Sequence, residues 1–346
     1  MEINFENKIK NKAIELGYES CGIIQINEMK DYSQKLTERI NKFPEIKPYT
    51  EEFYSFANLE NDYPWAKSVV VCTRIYGKYK IPKHLDGLIG KYYLVDSRTN
   101  ENSKDYQDSI SFENYLNKLG LKTATDRKFG VTALRWAAHK AGLGIIRKNN
   151  FFYSASGSWV YLEAWIIDQA LTLKENINLK NCPPNCNLCI KACPTNSLLE
   201  PYTMNRNTCV SCLTTWGGWD LPNEKYNHSI GKWIYGCDIC QDICPFNKNK
   251  WSEENSFPDL EKLSVSISLE KIIEMDYDFL RDIINTKFWY ISKYDVWRWK
   301  TNALNAMLNT YNPSYDKYID IACHDEDIRV QKMAIWVKGQ LSLRNN

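Results

Sequence analysis

Eight of the twelve cysteines form two runs between residues 182 and 244, and each run closes on Cys-x3-Cys-Pro. The first run is Cys182-x3-Cys186-x2-Cys189-x3-Cys193-Pro194. The second is Cys209 followed by Cys237-x2-Cys240-x3-Cys244-Pro245. Thiolates two residues apart can hold three corners of one iron–sulfur cubane, and the proline after the fourth cysteine turns the chain so that this thiolate reaches a neighbouring cluster. The pattern assigns Cys182, Cys186, Cys189 and Cys244 to one [4Fe-4S] cluster, and Cys193, Cys209, Cys237 and Cys240 to another. Cys212, three residues after Cys209, is an alternative ligand to it. The chemistry of such a pair is electron transfer.

A single Cys-x2-Cys suits zinc as well as iron, but zinc has no need of a fourth ligand that crosses to a second site. A disulfide framework requires export, and Met1-Glu2-Ile3-Asn4 opens no basic region followed by an apolar run. A cytoplasmic, thiol-rich protein is therefore expected. Between Cys182 and Cys186 stand Pro183, Pro184 and Asn185, one residue more than the usual spacing. A loop tolerates the addition, and Cys182 is the ligand that it affects. Cys21, Cys72 and Cys323 lie in apolar stretches and read as buried, inert thiols.

Three hundred and forty-six residues with 44% apolar content give room for two or three compact units with real cores. The net charge of +2, from 44 basic and 42 acidic residues, creates no overall field for a polyanion. No window approaches the ~18 uninterrupted apolar residues of a membrane span. Aromatic residues reach 13%, with 12 Trp and 22 Tyr, which suits a pocket for a planar cofactor and equally suits core packing. Nothing in the sequence sets an oligomeric state.

The elements around the cysteines follow from periodicity. Residues 5–16 carry Ile9, Ala13 and Leu16 at helical spacing, and Gly17 stops that helix before an apolar strand over 21–26. Helices are expected over 28–43, 110–119 and 132–140, with a β-branched strand over 68–76 and a strand buried on both faces over 159–167. Residues 1–178 thus form an α/β domain. The cysteine module spans 179–250, where metal bonds rather than a large core should supply stability. Residues 251–346 are helical: Ile328, Met333, Ala334, Val337 and Leu341 make a stripe that needs a partner helix, as in a HEAT-like repeat. The fold class is α+β, with an α/β domain, a ferredoxin-like double-cluster module and a helical tail.

These parts, in this order, resemble the epoxyqueuosine reductase family of corrinoid iron–sulfur reductases, to which reductive dehalogenases are related. The likeness lies in Glu15-Leu16-Gly17-Tyr18 with Cys21-Gly22-Ile23, in Pro64-Trp65-Ala66-Lys67-Ser68-Val69, and in Arg135 to Asn149 with its Ala141-Gly142-Leu143-Gly144 stop. It continues through Gly157-Ser158-Trp159, Cys193-Pro194-Thr195-Asn196, Pro201-Tyr202 and Ile234-Tyr235-Gly236-Cys237-Asp238-Ile239-Cys240-Gln241. It favours Cys209 over Cys212. The resemblance implies a cobalamin held between the α/β domain and the cluster module, with a low-potential donor of ferredoxin or flavodoxin type feeding electrons through the clusters to a nucleophilic low-valent cobalt. By the same resemblance Arg135, Gly142, Gly144, Lys148, Asn149, Gly157, Ser158, Trp159, Tyr235, Asp238 and Gln241 contact the cofactor. On the residues alone, Ala141 to Gly144 is a helix stop and Gly157 a turn before a strand.

The sequence departs from that family at two positions of one stretch. Where its members carry an acidic proton donor, sixteen residues before the last glycine of the stop, this chain has Lys128, and the following Glu-Arg pair reads Leu134-Arg135. A proton donor needs a pKa near working pH, which a lysine reaches only when desolvated. Asp126 and Tyr153 are the alternatives to Lys128, and His139 reads as a helix-surface residue. The resemblance implies reductive removal of an oxygen from a modified tRNA nucleoside. Two other functions compete with it: the same machinery acting on a small molecule, as in a reductive dehalogenase, or a corrinoid-free ferredoxin-like carrier. Residues 271–346 hold 11 basic and 10 acidic side chains, so RNA binding by the tail needs a local cluster, such as Arg298, Lys300, Lys332 and Lys338 beside Trp297 and Trp299.

Overall fold

The computed structural model describes residues 5–216 and 225–344. Its strands are, in chain order, β1 (Ser20–Gln25), β2 (Ser68–Ile75), β3 (Thr123–Ala124), β4 (Ile145–Ile146), β5 (Phe152–Tyr153) and β6 (Val160–Ile167). A four-stranded sheet runs in the order β1-β2-β6-β3 with every neighbour antiparallel, and β4 and β5 pair as a separate ribbon. The register sets Cys21 against Cys72, and Cys72 against Glu163.

Both faces of the sheet are covered, which is why β2 and β6 read as nearly continuous apolar runs. On one face Val70, Cys72, Trp165 and Ile167 pack against α1 (Phe5–Glu15) and α3 (Lys104–Lys118) through Ile9, Ala13, Phe112 and Leu116. On the other, Val69, Val71, Ala164 and Ile166 pack against Ala137 and Ala138 of α4 (Leu134–Lys140). The period-two alternation of strand side chains feeds the two layers. Gly17 and Gly120 follow α1 and α3 with φ of +84° each, the left-handed stop expected for them. Cys21 and Cys72 are fully buried inside this sandwich, and Cys323 is half-buried against the helical core.

In place of one helix over 28–43, a 3₁₀ turn at Ile26–Met29 precedes α2 (Tyr32–Lys42). Residues 44–57 continue in 3₁₀ turns, where Pro44 and Pro48 withhold the amide donors that a longer helix needs. β6 is buried except at Leu162 and Glu163, which are half-exposed to a cavity described below.

The last third is helical, with α5 (Leu269–Glu274), α6 (Val296–Asn309), α7 (Asp316–Ala322) and α8 (Ile328–Arg344). Four residues of the expected stripe are buried, with Met333, Ala334 and Val337 of α8 packing with Ala303, Leu304 and Met307 of α6, but Ile328, in the first turn of α8, is 57% exposed and takes no part in it. This core is continuous with Tyr76, Leu85 and Ile89 of the first segment and with Ile234 and Tyr235 of the cysteine module. The Asn302 amide donates to the carbonyls of Thr214 and Ile234, both at 2.9 Å, tying α6 to the module. Among the described residues no helix is long and apolar enough to cross a membrane.

Candidate cluster ligands and the adjoining cavity

Two short helices, Leu188–Ala192 with Cys189 and Ile239–Asp242 with Cys240, pack together and bring the cysteine runs side by side. Cys182, Cys186, Cys189 and Cys244 line one small cavity. Burial pushes the Cys189 thiol up, with Cys244 and Cys182 adding to the shift. Burial pushes Cys209 up to about 11 and Cys237 and Cys240 well above the usual thiol range, and each also feels the charge of Cys193. Two groups of four cysteines brought together in this way are what a pair of [4Fe-4S] clusters requires. Among the described residues no three His, Cys, Asp or Glu side chains converge as for a single ion. Cys209 caps the helix Val210–Leu213 and interacts with Cys237 and Cys240, whereas Cys212 interacts with Cys209 and Arg298.

The turn from β4 to β5 forms a wall beside the first set. Arg147, Lys148 and Asn149 line the cysteine cavity, and the next residue, Asn150, lines a much larger one. Asn149 donates to the Cys240 carbonyl at 3.0 Å and to the Tyr153 hydroxyl at 2.9 Å. Asn150 takes a left-handed φ of +68°, its carbonyl accepts from Arg135, and its buried amide nitrogen has no partner. Tyr153 is buried on the other side of this turn, next to Cys244 and away from the large cavity.

Most of the residues that the resemblance ties to a cofactor hold the module to the α/β domain. Ser158 donates to Gln241 at 2.8 Å and its backbone N–H to Asn247 at 2.9 Å. A side-chain carbon on Gly157 would lie 2.5 Å from the Asn247 amide oxygen. Trp159 packs edge-on to Trp251, and Tyr235 stacks on Trp299 while its hydroxyl accepts from the backbone of Tyr290. Burial raises the Asp238 carboxyl to about 7, and that carboxyl accepts the Lys91 backbone N–H at 2.7 Å and a bond from Gln241. Gly142 has φ +74° and no room for a side chain, since an added carbon would sit 1.9 Å from the Glu175 carbonyl; at Gly144 the Tyr153 carbonyl would lie 2.1 Å away. Both glycines are required by close backbone approach.

The large cavity has a volume of about 860 Å³. Its wall combines α2, the loop 125–130, the start of α4, the half-exposed part of β6, and residues 200–203 of the cysteine module. Arg135 stands in it, enclosed by protein yet open to the cavity. Desolvation and the like charge of Arg39 hold its pKa below the ordinary guanidinium value, and burial does the same to Arg39. Four carboxylates reach the wall. Glu38 and Glu200 are held below the usual range by Lys35 and Lys42. Asp126 accepts the backbone N–H groups of Lys128 and Phe129 at 2.8 and 3.0 Å. Glu163 is the exception: desolvation raises its pKa although Tyr18 donates to it at 2.5 Å. The Lys128 ammonium is exposed and sits 4.6 Å from the centre of the Trp289 ring, outside this wall. His139 lines the cavity with one ring nitrogen 3.2 Å from the Gly144 carbonyl.

Sequence reasoning missed Arg39, Asn150 and Glu163. Only Glu163 had a signal: it is the one charged residue in the apolar run Val160–Ile167.

Two sets of clustered, largely half-buried thiols beside a large polar-edged cavity, on a mixed α/β scaffold, define an iron–sulfur oxidoreductase. Residues 181–247 match the 4Fe-4S double cluster binding domain. The chain is 31% identical over 274 residues to the epoxyqueuosine reductase of Cellulophaga algicola, covering 74% of this chain and 85% of that one. It is 27% identical over 325 residues to that of Prochlorococcus marinus, covering 87% and 96%. This chain belongs to the epoxyqueuosine reductase family. Its fold matches the solved Streptococcus thermophilus epoxyqueuosine reductase with a TM-score of 0.75 at 21% identity, over 98% of this chain and 90% of that one. An epoxyqueuosine reductase solved with an epoxyqueuosine-modified tRNA-Tyr stem loop matches at 0.78 and 20%, over 97% and 90%.

Proposed function

We propose that this protein removes the epoxide oxygen of a modified nucleoside in tRNA, with a cobalamin in the large cavity and electrons delivered through two [4Fe-4S] clusters from a low-potential ferredoxin or flavodoxin. The observation that carries the reading is the Arg147–Asn150 wall, whose residues line the first cysteine set on one side and the large cavity on the other. Electrons leaving that cluster have one turn of backbone to cross.

The cavity fits a large cofactor. Its volume lies toward the upper end of the ~300–1,000 Å³ range of ligand sites. It also offers the unpartnered Asn150 amide and the two repelling guanidinium groups of Arg39 and Arg135, which an acceptor-rich ligand would satisfy. Cobalamin, when bound, supplies the two-electron chemistry at carbon. The residues bind, orient and supply protons. Converting an epoxide to an alkene takes two electrons and two protons, and the oxygen leaves as water. Glu163 is the candidate acid for the departing oxygen, because it is the wall residue whose carboxyl desolvation pushes above the ordinary glutamate value. Arg135 and Arg39 favour the developing negative charge on that oxygen.

An aromatic surface at the mouth supports an RNA substrate. Phe129, on the cavity wall and 54% exposed, lies against Trp216 and Trp289, and Trp289 stacks on Tyr290 at 4.1 Å. Lys128 sits over Trp289 and Arg206 near Trp216. Flat rings beside cations are what unpaired bases and their phosphates recognise. The test is anaerobic turnover: reduced protein loaded with cobalamin, given tRNA bearing the epoxide nucleoside, should yield nucleoside lighter by one oxygen. Turnover of a free small epoxide with none of the tRNA would transfer the activity to the small-molecule alternative.

A further inference from the structure

The residue inserted between Cys182 and Cys186 has a structural counterpart. Pro183 and Pro184 have no N–H to give, so this part of the turn donates no backbone hydrogen bond to a ligand sulfur, while its carbonyls still need partners. Lys148 supplies them. Its ammonium donates to the carbonyls of Pro183, Pro184 and Cys186 at 2.9, 2.8 and 2.8 Å, using all three of its protons. Arg147 supplies the sulfur donor. One guanidinium nitrogen points at Cys182 Sγ at 3.8 Å, and the plane lies 3.4 Å from the centre of the Phe246 ring. Arg147 is 3% exposed, and its Nε is buried without a partner. An uncapped donor on the wall of a four-cysteine cavity is a donor left for a cluster sulfur.

We propose that Arg147 and Lys148 form a cationic clamp that holds the lengthened Cys182–Cys186 turn in ligating position and makes the adjoining cluster easier to reduce. Reduction adds one negative charge to the cluster. Two buried cations and a hydrogen bond to a ligand sulfur stabilise that charge, and net charge and sulfur hydrogen bonding are what set cluster potentials. The inference rests on Cys182 and Cys186 being ligands, and not on tRNA or cobalamin.

The test uses the full-length chain, reconstituted anaerobically, with iron per chain and EPR-monitored redox titration as readouts. Arg147→Leu should keep both clusters and shift the reduction equilibrium of one of them about tenfold toward the oxidised form, which is ~59 mV for one electron. Should Arg147→Leu itself lose iron, Arg147→Gln, which keeps a donor without the charge, carries the same measurement. Lys148→Met should fall from about eight irons to about four. Deleting Asn185 from Lys148→Met, which restores the shorter spacing, should return the missing four. Unshifted potentials in the Arg147 variant overturn the electrostatic half of the proposal. A full iron complement in Lys148→Met, or failure of the Asn185 deletion to restore it, overturns the clamp. Neither readout involves turnover, so loss of the proposed substrate would leave this result standing.

Discussion

Glu163→Gln is the substitution that most directly tests how protons reach the substrate. The glutamate lies on β6, paired in register with Cys72, as a half-buried residue of the cavity wall whose carboxylate turns to Tyr18, which donates to it at 2.5 Å. Desolvation raises its pKa, opposed by the Tyr18 hydrogen bond and by Arg74, Ser109 and Arg127. Glutamine keeps the shape and an oxygen that Tyr18 can still reach, so the fold should lose no more than about 1–3 kcal/mol from an amide donor with fewer partners. What glutamine lacks is a proton to give. Loss of a positioned general acid costs about 10²–10⁴-fold in rate.

The pH dependence follows from the same shift. A carboxyl with a raised folded pKa binds its proton more tightly in the folded state than in the unfolded chain. Its contribution to stability is therefore full below the ordinary glutamate value of about 4.3, and is lost as pH rises through the raised value. The catalytic proton disappears over that same interval, so turnover should fall along it. Rates of oxygen loss from tRNA, measured anaerobically across pH, should carry this descending limb in the parent protein and lack it in Glu163→Gln. Thermal melts of the two proteins should diverge over the same interval. An undiminished rate with an unchanged limb would refute Glu163 as the acid and return the role to Asp126.

Cys212→Ser should retain about eight irons per chain and Cys209→Ser about four, because Cys209 interacts with Cys193, Cys237 and Cys240; the reverse result exchanges the two ligands. Gly142→Ala forces a side chain into left-handed backbone and against the Glu175 carbonyl, so the melting temperature should drop by several degrees, as for a loss of about 1–3 kcal/mol. Cobalamin affinity should be unchanged in the protein that remains folded, and weakened affinity at full stability would make Gly142 a cofactor contact. Lys128→Ala should weaken tRNA binding and flatten its salt dependence by about one phosphate contact, with little change in turnover at saturating tRNA; a collapse of turnover alone would restore Lys128 as the proton donor.

What was legible in the sequence divides along physical lines. Cluster ligation is dictated by residue type and spacing, so both cysteine runs could be read before any fold was known. The strands at 68–75 and 160–167 were legible because burial on both faces leaves an unbroken apolar run. The α8 stripe was legible because helical period and burial coincide. Residues 44–57 were not, since 3₁₀ turns have no strong period of their own. The cavity was the least legible part. Arg39 comes from α2, Asn150 from the ribbon turn and Glu163 from β6, and only packing of the layers brings them to one wall. Gly142 and Gly144 signalled a constraint whose source is backbone packing against Glu175 and Tyr153.

This chain carries Lys128 and Leu134 where the family it resembles carries an acid and a Glu. The proposed alternative source of the proton is Glu163, whose carboxyl is bonded by the Tyr18 hydroxyl beside the buried Arg74, which lies 4.1 Å from the Tyr18 ring centre. Asp126 caps the turn, Phe129 faces the mouth, and Lys128 extends away from the cavity to Trp289. A lysine retained as an acid would have to be desolvated, and this one is exposed. Lys128 over Trp289 and the exposed Phe129 thus stand where the proposed RNA substrate would meet the loop.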